Sequence, residues 1–455
     1  MSNWQTYLDR QKDRYLEDLT AFLRIPSISS LPEHKTDVVR AADWVAARLR
    51  AAGLEYVRVL PTKGHPVVYG HWLRQPDKPT VMIYGHLDVQ PVDPIDLWTH
   101  PPFEPAIEGD RIYARGASDD KGNMLAPILA IEALMQDADQ LPVNIKVFFE
   151  GQEEIGSPDL PEFVSENSDL LSCDMIFSAD GSQWGKDQPA LVIGRRGLCA
   201  LQIDVKGARG DLHSGTYGGA ILNPIHALAG LITTMHHPDG RIAVEGFYDD
   251  VRALSPEEKA HFKAVPYGEA ELTSELGVPG VFGEPGYSTN ERLWARPTLE
   301  LNGIWGGFQG EGSKTVLPSE AHAKITCRLV PHQDPEKVLA QVLAHIQKHA
   351  PTQVSVSTRQ SAGHAYPVSA PLDHPGNQAA ASVFRKLYKR APYVVGMGGT
   401  IPVCGLFKKH LGVDAINFAF GLKDENIHAP DEFFRISSFE RARKAWGLLL
   451  ESLGE

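Results

Sequence analysis

Hydrophobic and polar positions follow two periods along this chain, and the changes of period divide it. Residues 4 to 24 place Tyr7, Leu8, Tyr15, Leu19, Phe22 and Leu23 on one helical face, which Pro26 closes. Asp37 to Ala52 repeats the pattern with Val38, Ala41, Val45 and Leu49 before the stop at Gly53. Short apolar runs predict strands at Tyr56–Leu60, Val67–Trp72 and Val81–Gly85, then a helix from Lys121 to Met135, then strands at Lys146–Phe149 and Met175–Ser178. This alternation predicts a mixed α/β sheet. From Leu198 the period becomes two: Leu201, Ile203 and Val205 alternate with Gln202, Asp204 and Lys206. A helix from Asn223 to Met235, strands at Thr298–Gly303 and Ala321–Leu329, a helix from Asp334 to His349 and a strand at Gln353–Thr358 complete a βαββαβ order. That is the order of a ferredoxin-like two-layer unit. Arg241 to Ala295 reads as an irregular insertion with a short helix after Ser255. Past about Ala362 the α/β pattern returns, with a helix at Gly376–Arg390, a GMGGT loop, a strand at Ala415–Phe420 and a helix at Phe439–Leu453. The expected architecture is an α/β domain in two segments, 1–197 and 361–455, interrupted by a smaller domain at 198–360.

A chain of 455 residues exceeds one ordinary core, in keeping with two domains. No segment approaches the roughly 20 apolar residues of a membrane span. The N-terminus, MSNWQTYLDRQKDRYLEDL, lacks the apolar region of a signal peptide, so a cytoplasmic location is expected. The four cysteines form no CxxC pair and read as buried free thiols. A net charge of −13 without a Lys/Arg cluster argues against nucleic-acid binding.

The candidate chemistry follows the strands. VMIYGHLDVQ, RIYARGASDDKG and VNIKVFFEGQEE each carry acid or imidazole past an apolar run; Asp180 follows Met175–Ser178, and His428 follows Ala415–Phe420. In an α/β sheet, groups past the carboxyl ends of strands share a crevice. Bringing His86, Asp88, Asp119, Glu153 and Glu154 together there calls for a divalent cation, because dehydrated like charges repel. Imidazole with carboxylate suits Zn²⁺, with Mn²⁺ or Co²⁺ as substitutes. Asp88 is placed to orient His86 as an outer partner. Plainer readings coexist: His86 as a core histidine, Asp119 or Asp120 as a helix cap, Glu153 as a surface acid. Glu153 and Glu154, if extended, face opposite ways and take different roles.

HLDVQP, GASDDKGN, GQEEIGSP, SADG, DLHSG, RLVP and the late lone histidine, in this order, resemble the carnosinase-like dipeptidase branch of a di-zinc metallopeptidase family. That family also contains aminoacylase, acetylornithine deacetylase, succinyl-diaminopimelate desuccinylase and glutamate carboxypeptidase. The resemblance implies an aminopeptidase-like catalytic domain interrupted by a ferredoxin-like lid and dimerisation domain. It implies one zinc on His86 and Asp180, a second on Glu154 and His428, and Asp119 bridging both. Glu153 becomes the general base that takes a proton from the water held between the zinc ions, leaving the attacking hydroxide. His213 becomes a lid histidine that serves the other subunit's site, or, on the plainer reading, a loop cap. Arg328, with Gly399 and Thr400, would hold the carboxylate of a small peptide substrate; the plainer reading of Arg328 is a strand-end salt bridge. Gln152 and Asn123 depart from that branch's usual Glu and Pro without touching the ligand set. The implied activity is a dimeric zinc dipeptidase; the alternatives are an N-acyl amino acid deacylase and an inactive binding protein of the same fold.

Overall fold

The apolar runs pair into a six-stranded mixed sheet in the spatial order Tyr56–Leu60, Val67–Trp72, Asn144–Glu150, Thr80–His86, Met175–Ser178 and Ala415–Asn417. The last four strands run parallel, so their carboxyl ends open on one edge. Asn144–Glu150 is buried at every position, as expected of a central strand covered on both faces. The helix Gly122–Ala138 is buried from Gly122 to Leu134 because it is apolar all round, and it packs on the C-terminal helix Ile436–Gly454. Its one buried acid, Glu132, receives Arg48 and the hydroxyls of Tyr7 and Tyr15.

This computed structural model describes residues 3–138, 140–360 and 363–455. The chain divides into two units, one of Met1–Ile193, Ser369–Val395 and Leu406–Glu455, the other of Gly194–Val368 and Gly396–Gly405. The domain edge expected at 360/361 falls beside Ser361 and Ala362, outside the described residues.

One expectation is corrected in the first unit. The RIYARG run does not join the main sheet; Arg111–Tyr113 pairs with Ala106–Glu108 and with Phe433–Arg435 in a separate three-stranded antiparallel sheet. Asp119 is therefore delivered by an irregular turn, Ala117–Lys121, ahead of the buried helix. The first helix is also broken at Gln11, giving Asn3–Arg10 and Lys12–Leu23.

The second unit carries a four-stranded antiparallel sheet in the order Thr298–Gly306, Glu320–Leu329, Gly197–Lys206, Ser355–Gln360. Helices Pro224–Thr233 and Pro335–His349 pack on it, joining Leu228, Leu231, Val338 and Val342 to Leu201, Ile203, Ala323 and Ile325. The insertion holds three short helices, Pro256–Ala264, Glu269–Leu276 and Thr289–Ala295, where the sequence suggested one; Ser255 and Ser288 cap two of them. Strands at Ala190–Arg195 and Tyr393–Met397 and a helix at Pro402–Leu411 escaped the sequence reading. Cys199, Cys327 and Cys404 are buried and Cys173 half-buried, and none of the four is in a disulfide. Among the described residues no helix is long and apolar enough to cross a membrane.

Candidate metal centre

His86 closes its strand, Asp180 lies just beyond Met175–Ser178, and Glu153 and Glu154 lie just beyond Asn144–Glu150, on strands whose ends share one edge. His86 Nε2 is 3.1 Å from Asp119 Oδ1. His428 Nε2 is 3.0 Å from Asp119 Oδ2 and 3.2 Å from Glu154 Oε2. The ligand-capable atoms fall into two groups that share Asp119: His86, Asp119 and Asp180, and Asp119, Glu154 and His428, with the atoms of each group within 4.8 Å of one another. A carboxylate with one imidazole on each oxygen, flanked by two more acids, is a donor set fitted to a pair of neighbouring divalent cations. The His428 backbone is left-handed (φ 61°), as are those of Asn426 and Asp431, an uncommon conformation for residues with side chains.

Asp88 does more than the sequence suggested. His86 Nδ1 lies 3.1 Å from the Asp88 carbonyl oxygen and 3.5 Å from its carboxylate. The carboxylate itself accepts the N–H groups of Glu153 at 3.2 Å and Glu154 at 3.1 Å. Those bonds coil the segment, and Glu153–Ile155 is a 3₁₀ turn, so the argument from extended backbone does not hold there. Gln90 Nε2 donates to Glu154 Oε2 at 2.7 Å. Asp119 faces the imidazoles, and buried Asp120 accepts the His86 N–H at 3.2 Å, so neither serves as a helix cap.

Burial alone would push the His86 imidazole down, yet its bonds to Asp119 and Asp88 hold it well above the usual histidine range. His428, bonded to Asp119 and Glu154, is pushed up to about 10. Burial would raise Asp119, but His428 and His86 hold it well below the ordinary carboxylate range. Glu153 and Glu154 are raised, first by burial and then by the acids around them. Protons thus compete with a cation for these groups, and metal uptake must release them.

The other candidates lie in the second unit. Arg328 Nη1 donates to Thr400 Oγ1 at 3.1 Å, and Thr400 donates to the Arg196 carbonyl. Among the described residues Arg328 has no acid partner, so a strand-end salt bridge does not account for it. Arg196, which the sequence reading missed, has a buried Nε without a partner; burial, then the field of Arg328, brings its pKa to about 10. Gly399 is exposed, with open space where a side chain would begin. His213 is exposed and caps the short helix Ser214–Tyr217, its Nδ1 accepting the Gly215 N–H at 3.1 Å. Also missed were Gln90, Glu425 and Glu432; the last two flank His428 in DENIHAPDE, and that density of acid around a lone histidine was the available signal.

The chain is 30% identical to the Cys-Gly metallodipeptidase dug1 of Schizosaccharomyces pombe over 96% of this chain and 95% of that one. Among solved structures it matches the M20 family metallo-carboxypeptidase Sso-CP2 of Sulfolobus solfataricus (36% identity, TM-score 0.84, 97% of this chain and 99% of that one). It also matches human carnosine dipeptidase 1 (29% identity, TM-score 0.81, 99% of this chain and 98% of that one). The model of peptidase family M20/M25/M40 matches residues 82–452, a span that takes in both candidate ligand groups and the whole second unit, and the chain belongs to that family.

Proposed function

We propose that this protein is a metal-dependent dipeptidase whose centre holds two divalent cations, zinc with manganese or cobalt as substitutes. The observation that carries the reading is the sharing of Asp119 between two ligand groups, with Glu153 in the electrostatic field of His86, Asp180 and Glu154. Relatives named as Cys-Gly and β-Ala-His dipeptidases support it. His86 and Asp180 would hold one cation, Glu154 and His428 the other, and Asp119 both. When bound, such a pair would supply Lewis-acid polarisation of the scissile carbonyl and a lowered pKa for the attacking water. Glu153 takes the proton from that water and passes it to the leaving amine, a transfer suited to a carboxylate whose pKa burial has raised. Asp88 keeps Glu153 and Glu154 in register by accepting both backbone N–H groups.

The second unit is proposed as a ferredoxin-like lid and dimerisation domain; its strand order and two packed helices support this. Thr298–Gly306 is an edge strand with Ile304 60% and Trp305 37% exposed, an apolar edge of the kind that pairs with another chain. In this reading His213 serves the partner's site. A mixture of His213→Ala and Glu153→Gln proteins, each nearly inactive, is then expected to regain part of the wild-type rate after subunit exchange. No recovery after exchange demonstrated by mass labelling would contradict the shared site. A cytoplasmic setting is in keeping with four cysteines outside any disulfide.

Arg328, with Thr400 and Gly399, is proposed to hold the substrate's terminal carboxylate, a task for a planar two-pronged donor. Arg328→Met is expected to raise KM for dipeptides by roughly 100-fold, the scale of losing one partner of a desolvated charge pair. C-terminally amidated dipeptides should lose much less, and equal losses on both substrates, measured by initial rates, would remove Arg328 from carboxylate recognition.

Substrate class is tested by amino-acid release from three panels: free-amine dipeptides, N-acetyl amino acids and longer peptides. Release from the first panel is expected. Cleavage confined to the second would make the protein a deacylase. Stepwise C-terminal shortening of the third would favour a carboxypeptidase, as the likeness to Sso-CP2 makes worth testing.

A further inference from the structure

We infer that Glu432 and Glu425 are positioning residues that clamp the segment carrying His428 onto the segment carrying Asp119, and so set the strength of the second cation group; the inference rests on the two-cation reading. The ligands do not share one kind of support. His86 ends a strand, Asp180 lies just past another, and Glu154 is tied by Asp88 and Gln90. His428 sits in no helix or strand, its side chain is 52% exposed, and its backbone is left-handed. Its imidazole pairs with Asp119 and Glu154, the two groups with which it would share a cation. Something other than its own side chain must fix where it stands.

The two buried carboxylates that bracket it do so. Glu432 accepts the N–H groups of Gly116 at 2.9 Å, Ser118 at 3.0 Å and Asp119 at 3.0 Å, and Arg115 Nη1 donates to it at 2.8 Å. All four donors belong to the Asp119 segment, and they saturate what one carboxylate can accept. On the other side of His428, Glu425 accepts the Ser118 hydroxyl at 2.6 Å, the Leu422 N–H at 2.8 Å and Arg435 Nη1 at 3.0 Å. The small sheet extends the same join: Phe433–Arg435 pairs with Arg111–Tyr113, and the Ala114 N–H bonds to the Glu432 carbonyl at 3.0 Å. Asp431 adds a tether to Thr99. The separation of Asp119 from His428 is thus set by acids that touch neither imidazole.

Glutamine at 432 has nearly the same shape, but its NH₂ would face donors where an acceptor is required. Full-length Glu432→Gln protein, stripped of metal, would be titrated with Zn²⁺ against a chromophoric chelator, beside wild type and His428→Ala. Wild type should bind two Zn²⁺. The variant should keep one within about threefold of wild type and bind the other 10–100-fold more weakly, the usual scale for losing an outer partner of a ligand. Adding Glu432→Gln to His428→Ala should cost little more, since both act on the same cation. Folding is checked by circular dichroism. Should Glu432→Gln not fold, Ser118→Ala decides, because it removes only the hydroxyl bond to Glu425 and should weaken the same cation to a smaller degree. Folded variants that bind both cations like wild type, or lose both equally, would overturn the inference. A wild-type protein that takes up only one Zn²⁺ would instead sink the two-cation reading beneath it.

Discussion

Glu153→Gln protein is expected to bind both cations as wild type does while its kcat on dipeptides falls by about 10²–10⁴-fold, the contribution of a positioned general base. The backbone N–H of residue 153 would still bond to Asp88, so the turn and Glu154 stay in place. The amide cannot accept a proton at neutral pH, whereas the buried carboxylate, with its pKa raised, is suited to take one and return it. KM should change little, since an interaction made only in the transition state is lost. Steady-state kinetics with metal analysis on the same preparation checks this. Near-normal turnover would remove Glu153 from the role of base.

Asp119→Ala should have the larger effect on composition. Both ligand groups contain Asp119, one on each carboxylate oxygen, so its removal leaves each group with two donors. The loss in affinity should exceed the roughly 10–100-fold that follows loss of an outer partner, and metal content after gel filtration should fall below one cation per chain. His428→Ala, which belongs to one group only, should retain one. An Asp119→Ala protein that keeps two cations would show that the carboxylate is not shared.

The sequence made some of this legible and hid the rest for identifiable reasons. Val67–Trp72 and Met175–Ser178 form with the bounds read from their apolar runs, because an interior strand writes its burial into consecutive residues, and Tyr56–Leu60, at the sheet edge with only Val57 buried, forms with its expected bounds too. His86, Glu154 and Asp180 were visible as polar residues just past such runs. Asp119 was visible too, although the run before it belongs to another sheet, so a residue shared by both ligand-capable groups was reached from a misplaced neighbour. What periodicity could not carry were contacts between distant segments. The bond from the Gly116 N–H to Glu432 joins residues 316 apart, and no local pattern records it. Asp88 gained a second task for the same reason: besides its contact with His86, its carboxylate meets N–H groups 65 and 66 residues away. His213 and Arg328 came only from family resemblance, and among the described residues the first is a helix cap while the second has no acid partner.

The central claim is that hydrolysis of a free-amine dipeptide depends on two cations held around Asp119. Its most direct test is a back-titration of chelator-stripped protein with Zn²⁺, reading amino-acid release and bound metal together. Stripped protein should show no turnover, and activity should return with bound metal and saturate at two cations per chain. Full activity in protein shown to be metal-free, or saturation at a single cation, would contradict it.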